Sequence, residues 1–178
     1  MYQKVDEGFI GDVLSNYKEK KDRIEKEIQE MYSLLNEKSR METDIIESVS
    51  YPNGLDEKGT RRFGDVGAVF LAYAKLMQEH QTSIFHYIQK LVNELDSIHR
   101  VMLCFFLLDE KERELLEIFF RRYGGEKYDV RVHLTAGQLG MSDSTVKRRK
   151  KDAVQALKEL YDSSCSSEEL LRHLKEKA

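Results

Sequence analysis

The sequence predicts an all-α protein. It reads as a long N-terminal helical hairpin of coiled-coil character, followed by a C-terminal helix-turn-helix. Three observations carry this reading. Two long stretches repeat apolar residues in alternating steps of four and three, the spacing that lines one face of a helix. A single proline in 178 residues leaves little to interrupt helices. And Ala136-Gly137-Gln138-Leu139-Gly140-Met141-Ser142 joins a small-residue turn to the cationic run Lys147-Arg148-Arg149-Lys150-Lys151. The divisions expected are a hairpin and oligomerisation region over 1–107 with a connector at 39–66, a helix-turn-helix over 108–162, and a tail helix over 163–178.

The first stripe begins near Ile10 and continues through Leu14, Tyr17, Ile24, Ile28, Met31 and Leu35, with Lys21 at one seam position. The second runs Phe70, Ala74, Met77, Gln81, Ile84, Ile88, Leu91, Leu95, Ile98, Met102, Phe105. Only Gln81 breaks its apolar heptads, and spacing of 3.5 sustained over five heptads is a coiled-coil pattern. The stripes can pair within one chain or between chains. The second is longer than the first, so the expectation is a hairpin that also forms a homodimer; a monomeric bundle is the alternative.

The connector holds Tyr51-Pro52-Asn53-Gly54, which reads as a turn, and Gly59, Gly64 and Gly67. Arg61 and Arg62 lie among those glycines, but no Gly-Lys-Ser/Thr follows, so a phosphate-binding loop is not expected. Asp109 and Glu112 have the spacing of a capping box for a helix over 109–123, whose core would be Leu115, Leu116, Ile118, Phe119 and Tyr123. Arg121 and Arg122 close that helix, as phosphate contacts or as solvated cations complementing its dipole. Tyr128, Val130, Val132 and Leu134 alternate as a strand does, so a short strand or wing before the motif stays open.

In the motif, Ala136 lets helices approach and Leu139 fills the core. Gly140 suits a left-handed helix end and Ser142 caps the next helix. That helix should run from Asp143 to about Tyr161, burying Val146, Ala153, Leu157 and Leu160. At 100° per residue from Val146, Lys151, Ser144 and Arg148 fall at about 140°, 160° and 200°, away from the core, with Thr145 and Lys147 beside them. The expected DNA-binding residues are therefore Ser142, Ser144, Thr145, Lys147, Arg148, Arg149, Lys150 and Lys151. Arg can fork onto guanine in the major groove while neighbouring cations meet phosphates. Ser166 and Glu169 make a second capping box, opening a last helix through Lys177.

Leu108-Asp109-Glu110-Lys111-Glu112-Arg113, then Leu115 through Tyr123, then Ala136-x-x-Leu139-Gly140-x-Ser142-x-x-Thr145-Val146-Lys147, then Ala153, Leu157 and Leu160 resemble region 4 of sigma-70-type factors. The whole chain is similar to small phage-encoded transcriptional regulators of the RinA and ArpU type. The resemblance implies binding of double-stranded DNA at a promoter-proximal element and docking on RNA polymerase. One departure is that Arg131 to Thr135 precede Ala136 where sigma region 4 carries Thr-x-x-Glu-Ile-Ala.

Charge agrees with a local site. Residues 109–161 carry 12 Lys/Arg against 10 Asp/Glu, and the rest of the chain 17 against 22. The positive charge is concentrated on one helix, which suits a docked site more than general attraction to polyanions. No cofactor, metal or catalytic residue is expected: the five histidines are scattered, and no Gly-x-Ser-x-Gly, His-Glu-x-x-His or Walker loop occurs. Cys104 and Cys165 should be reduced thiols. No apolar run approaches the roughly 20 residues of a membrane span, nor is there a secretory h-region, so a cytoplasmic, non-membrane protein is expected. The leading functional expectation is a sequence-specific transcription regulator, an activator acting beside RNA polymerase. The alternative is a small terminase-like subunit for packaging or assembling phage DNA.

Overall fold

The computed structural model describes residues 5–50 and 63–177, and their side chains apart from 42, 44–50, 63–70 and 177. The described residues are helical, with no strand among them: α1 Glu7–Ser50, α2 Phe63–Leu107, α3 Glu110–Leu116 with a π-helical continuation Glu117–Arg122, α4 Tyr128–Leu139, α5 Asp143–Asp162 and α6 Ser167–Lys177. The all-α expectation therefore holds. The helices reach into the region expected to be connector, since α1 continues to Ser50 and α2 starts at Phe63. The expected Tyr51–Gly54 turn and the Arg61-Arg62 pair lie outside the described residues.

Two compact units arise, and both long helices contribute to each. One contains residues 1–23 and 93–178, the other 24–92. The division differs from the sequence boundary at 107/108 because the first turns of α1 pack with elements more than 100 residues away.

In the first unit, Asp6 opens α1 by accepting from the Phe9 amide at 2.7 Å, an N-cap just before the first apolar position. The backbone leaves helical angles at Asn16 (φ −124°, ψ 23°). There the Asn16 amide reaches back to Asp12 Oδ1 at 2.9 Å, and Lys20 holds the other oxygen at 2.6 Å. Burial opposes ionisation of Asp12, but these partners prevail and hold its carboxyl below the usual range. Ile10, Val13 and Leu14 are buried with Ile98, Val101, Met102 and Phe105 of α2.

The α3 helix starts at Asp109, whose backbone is extended (φ −62°, ψ 149°), but its side chain makes no capping bond. The expected Asp109–Glu112 box is therefore not formed, and the first turn closes through the backbone, Arg113 N–H to Asp109 O at 2.9 Å. The helix then widens: the Tyr123 amide bonds the Ile118 carbonyl, five residues back, at 3.1 Å. Ile118, Phe119 and Phe120 are all buried in this wide turn, whereas Tyr123 is only partly so. Phe119 stacks edge-on against Tyr128 at 5.8 Å, while the Phe120 ring lies against Gly11 of α1. Three successive buried residues require packing on more than one side, and the turn is flanked accordingly.

The strand or wing left open at 128–134 is not formed, and these residues are instead the start of α4. Of the alternating residues only Val132 is buried; Tyr128, Val130 and Leu134 are exposed. The alternation was incidental, and Val132 with Ala136 follows the helical step of four. The α6 helix opens on the expected reciprocal box, Ser166 N–H to Glu169 Oε2 at 2.7 Å and Glu169 N–H to Ser166 Oγ at 3.2 Å. Those bonds, the backbone one first, lower the Glu169 pKa. Leu170 is buried, so this helix packs on its unit.

In the second unit the heptad stripes face inward. From Ile24 to Leu35 in α1 and from Ala74 to Leu91 in α2, none of the stripe residues is exposed. Tyr87 donates to Glu27 Oε1 at 2.5 Å and Lys38 Nζ lies 3.2 Å from His80 Nδ1. Positions rise along one helix as they fall along the other, so the two segments run in opposite directions.

A Cβ on Gly124 would stand 2.2 Å from the Phe120 carbonyl oxygen, whereas one on Gly125 meets nothing within 4 Å. Gly124→Ala should therefore cost about 1–3 kcal/mol, as overpacking against backbone does. Gly125→Ala should stay within about 0.5 kcal/mol of the parent. Urea midpoints of the two variants check this, and equal stabilities would contradict the tight turn.

Candidate nucleic-acid interface

The expected turn forms as the residues dictate. Gly140 takes φ 63° and ψ 35°, the left-handed conformation that ends α4, and its amide and that of Met141 both bond the Ala136 carbonyl. Ser142 then returns to extended backbone (φ −80°, ψ 153°), and its Oγ accepts from the Thr145 amide at 3.3 Å. That hydroxyl also lies 3.0 Å from Ser144 Oγ and 2.8 Å from Thr145 Oγ1. Ser142 is thus committed first to starting α5, and Thr145 is half-buried beside it.

Along α5, Val146 and Leu157 are fully buried, with Ala153, Val154 and Tyr161 beside them. Ser144, Lys147, Arg148, Arg149 and Lys151 are exposed. The sequence had assigned Val146, Ala153 and Leu157 inward and this cationic face outward. Leu160 is only partly buried; Val154 and Tyr161 take that place.

Lys150 is the correction. It was expected among the DNA-binding cations, but it is 7% exposed. Its ammonium is ion-paired with Glu7 at the start of α1. It also sits over the rings of Phe119 at 5.6 Å and Tyr128 at 5.4 Å. The helical geometry explains this, because Lys150 lies four residues after Val146, about 40° around the helix and inside the buried stripe. The wheel could have revealed it; the run of five cations concealed it. Lys150 anchors the helix and does not face outward.

The other cations have light attachments. Lys147 is 3.7 Å from Asp129 and 5.9 Å from the Tyr128 ring centre, with both charged groups in solvent. An exposed pair of this kind contributes about 0–1 kcal/mol, so Lys147 can exchange that carboxylate for a phosphate at little cost. Arg149 Nη1 touches Met141 Sδ at 3.8 Å. His133 and Asp143 add a second exposed contact between α4 and α5 at 3.7 Å.

Sequence reading missed Arg100, a wholly buried arginine at the far end of α5. Its Nε donates to the Tyr161 carbonyl at 2.9 Å and one Nη to the Ser163 carbonyl at 3.1 Å, with the guanidinium 5.5 Å from the Tyr161 ring. Cys104, also buried, has its thiol pKa pushed up to about 11 by burial, with Arg100 pulling the other way. Among the described residues no group of three or more His, Cys, Asp or Glu is placed to hold a metal ion. No helix among them is long and apolar enough to cross a membrane.

Removing the carboxylate from Glu7 leaves Lys150 charged and largely buried, whereas removing the Lys150 charge leaves Glu7 mostly in water. Glu7→Gln should cost about 1.5–3 kcal/mol, the range for a hydrogen bond to a charged group. Lys150→Met, which keeps the apolar stem over the two rings, should cost less. Denaturant midpoints of the two variants settle the order; a reversed order would mean that Lys150 is not held by Glu7.

No family model matches the chain, and comparison with curated proteins and with solved structures gives no match either.

Proposed function

We propose that this chain is a sequence-specific DNA-binding transcription regulator that reads double-stranded DNA with the outward face of α5. One observation carries the reading: behind a serine-capped turn, α5 buries Val146, Ala153 and Leu157 and offers Ser144, Lys147, Arg148 and Lys151 on the opposite side. A helix presented by its N-terminal half, with cations outward and a polar first turn, fits the major groove. In this reading α4, Gly140–Ser142 and α5 act as a helix-turn-helix of sigma region 4 type. Arg148 grips a base and Arg149, toward the rim, meets the backbone. The long helices form a hairpin that holds two copies together. The resemblance to phage regulators supports an activator encoded by a phage or mobile element and working beside RNA polymerase.

Four exposed cations remain once Lys150 is assigned to the core. If the three other than Arg148 each meet a phosphate, the slope of log affinity against log salt should be about −2.7 per module, from roughly −0.9 for each neutralised phosphate. Arg149→Gln with Lys151→Gln should flatten it by up to about two. Lys150→Met should leave it unchanged while altering stability. Affinity measured across a salt series, on DNA recovered by in vitro selection, tests this. Equal slopes for wild type and the double variant would exclude the outward face of α5, and a flatter slope for Lys150→Met would reverse the assignment of that residue.

A further inference from the structure

In the second unit, α1 and α2 cover each other's a and d heptad positions, yet apolar side chains continue past that seam. Nine large hydrophobic side chains are exposed there among the described residues: Tyr32, Leu34 and Met41 on α1, with Leu71, Tyr73, Leu76, Phe85, Tyr87 and Val92 on α2. With Ala74, Gln81 and Ile88 at a, and Met77, Ile84 and Leu91 at d, Leu71, Phe85 and Val92 all fall at e. With Ile28 and Leu35 at a on α1, Tyr32 is also at e. Leu34, Met41, Tyr73 and Tyr87 are at g, so only Leu76 lies off the flanks.

A helix with a single partner needs apolar residues at a and d alone; apolar flanks broaden the stripe to what a helix touching two neighbours requires. Because α1 and α2 run in opposite directions here, their e positions share one side of the pair and their g positions the other. The e side holds the two most exposed residues, Leu71 at 69% and Phe85 at 61%, together with Tyr32 at 50%. The Glu27–Tyr87 and Lys38–His80 contacts put Tyr32 level with Phe85 on it.

We infer that the e side, Tyr32, Leu71, Phe85 and Val92, is a docking surface for the same side of a second copy, giving a four-helix bundle. The argument for a second copy is register and area. Both helices of the pair carry the heptad, so a two-fold axis sets a flank of matching period against itself and the interface closes. Phe and Tyr side chains bury about 150–250 Å² each when covered completely, and Leu and Val somewhat less. Roughly half of that for the four gives about 300–400 Å² of apolar surface per copy. A standard interface buries about 800 Å² per partner, a little over half of it apolar, so the area is what a stable dimer needs.

The inference rests on the reading that the long helices self-associate and is independent of DNA. Leu91, in the seam between α1 and α2, is 4% exposed, so a charge there would unfold the pair instead of separating copies. The test is sedimentation equilibrium of the full chain at micromolar concentration, with helicity followed by circular dichroism. Wild type should be a dimer. Phe85→Glu and, separately, Leu71→Glu should raise the dissociation constant about 100-fold or more at unchanged helicity, since each places two charges in the joint surface. Met41→Glu on the g side, 54% exposed, should leave the dimer intact. A monomeric wild type overturns the self-association reading and this surface with it. A dimer that survives both e-side glutamates, or that Met41→Glu dissociates instead, overturns the surface alone.

Discussion

The geometry of α5 depends on a buried charge. Arg100 is wholly inside, an environment that would reject a lone guanidinium. It is tolerated because α5 ends there: the last turn of a helix leaves carbonyls without partners and carries partial negative charge. The bonds to the Tyr161 and Ser163 carbonyls give two of the guanidinium nitrogens acceptors and the helix end donors. The result is a helix fixed at its C-terminal end to α2. Its N-terminal end is fixed by the Ser142 hydroxyl and its middle by the Lys150–Glu7 pair. With these three polar anchors in place, the outward cations carry only light, solvent-exposed attachments. Cys104 lies buried in the same core; with its thiol pKa near 11 it stays protonated at neutral pH, so it adds no competing anion.

That arrangement decides which positive charges have a role outside the core. Five adjacent cations look equivalent in sequence, but a helix turns each by about 100° and cannot expose all of them. One is turned into an aromatic box formed by Phe119 and Tyr128, and four remain in solvent. Asp129 pairs with Lys147, and Asp143 in the first turn of α5 pairs with His133, so the face is not uniformly positive. Mixed charge of this kind favours a partner whose groups are arranged to match over any polyanion of sufficient density.

Much of the fold was legible because it rests on local rules. Heptad spacing found the inward faces of α1 and α2, the glycine and serine found the α4–α5 turn, and Ser166 with Glu169 found the start of α6. What escaped notice depended on long-range packing. Nothing near Lys150 in sequence announces Glu7, 143 residues away. The Asp109–Glu112 spacing met the pattern of a box, but the backbone closed the turn by itself. The alternation at 128–134 matched a strand over too few residues to outweigh the helix that Ala136 and Leu139 demand. The wide turn at 117–122 left only a weak trace, three consecutive apolar residues before two arginines. Arg100 could be read only as one more charge on a long helix.

The split of the first unit between residues 1–23 and 93–178 has a consequence for how the chain is made. Val5, Ile10, Val13 and Leu14 leave the ribosome long before Ile98, Phe105 and Phe120 exist to cover them. Domains that are continuous in sequence can fold as they emerge, but this one must wait for its second part. The intervening 24–92 can pair its own helices meanwhile. Doing so brings residues 23 and 93 together and replaces a long loop closure by a short one. The order of folding is then inside out along the sequence, with the middle first and both ends last. Refolding of the first unit should consequently track the formation of the second.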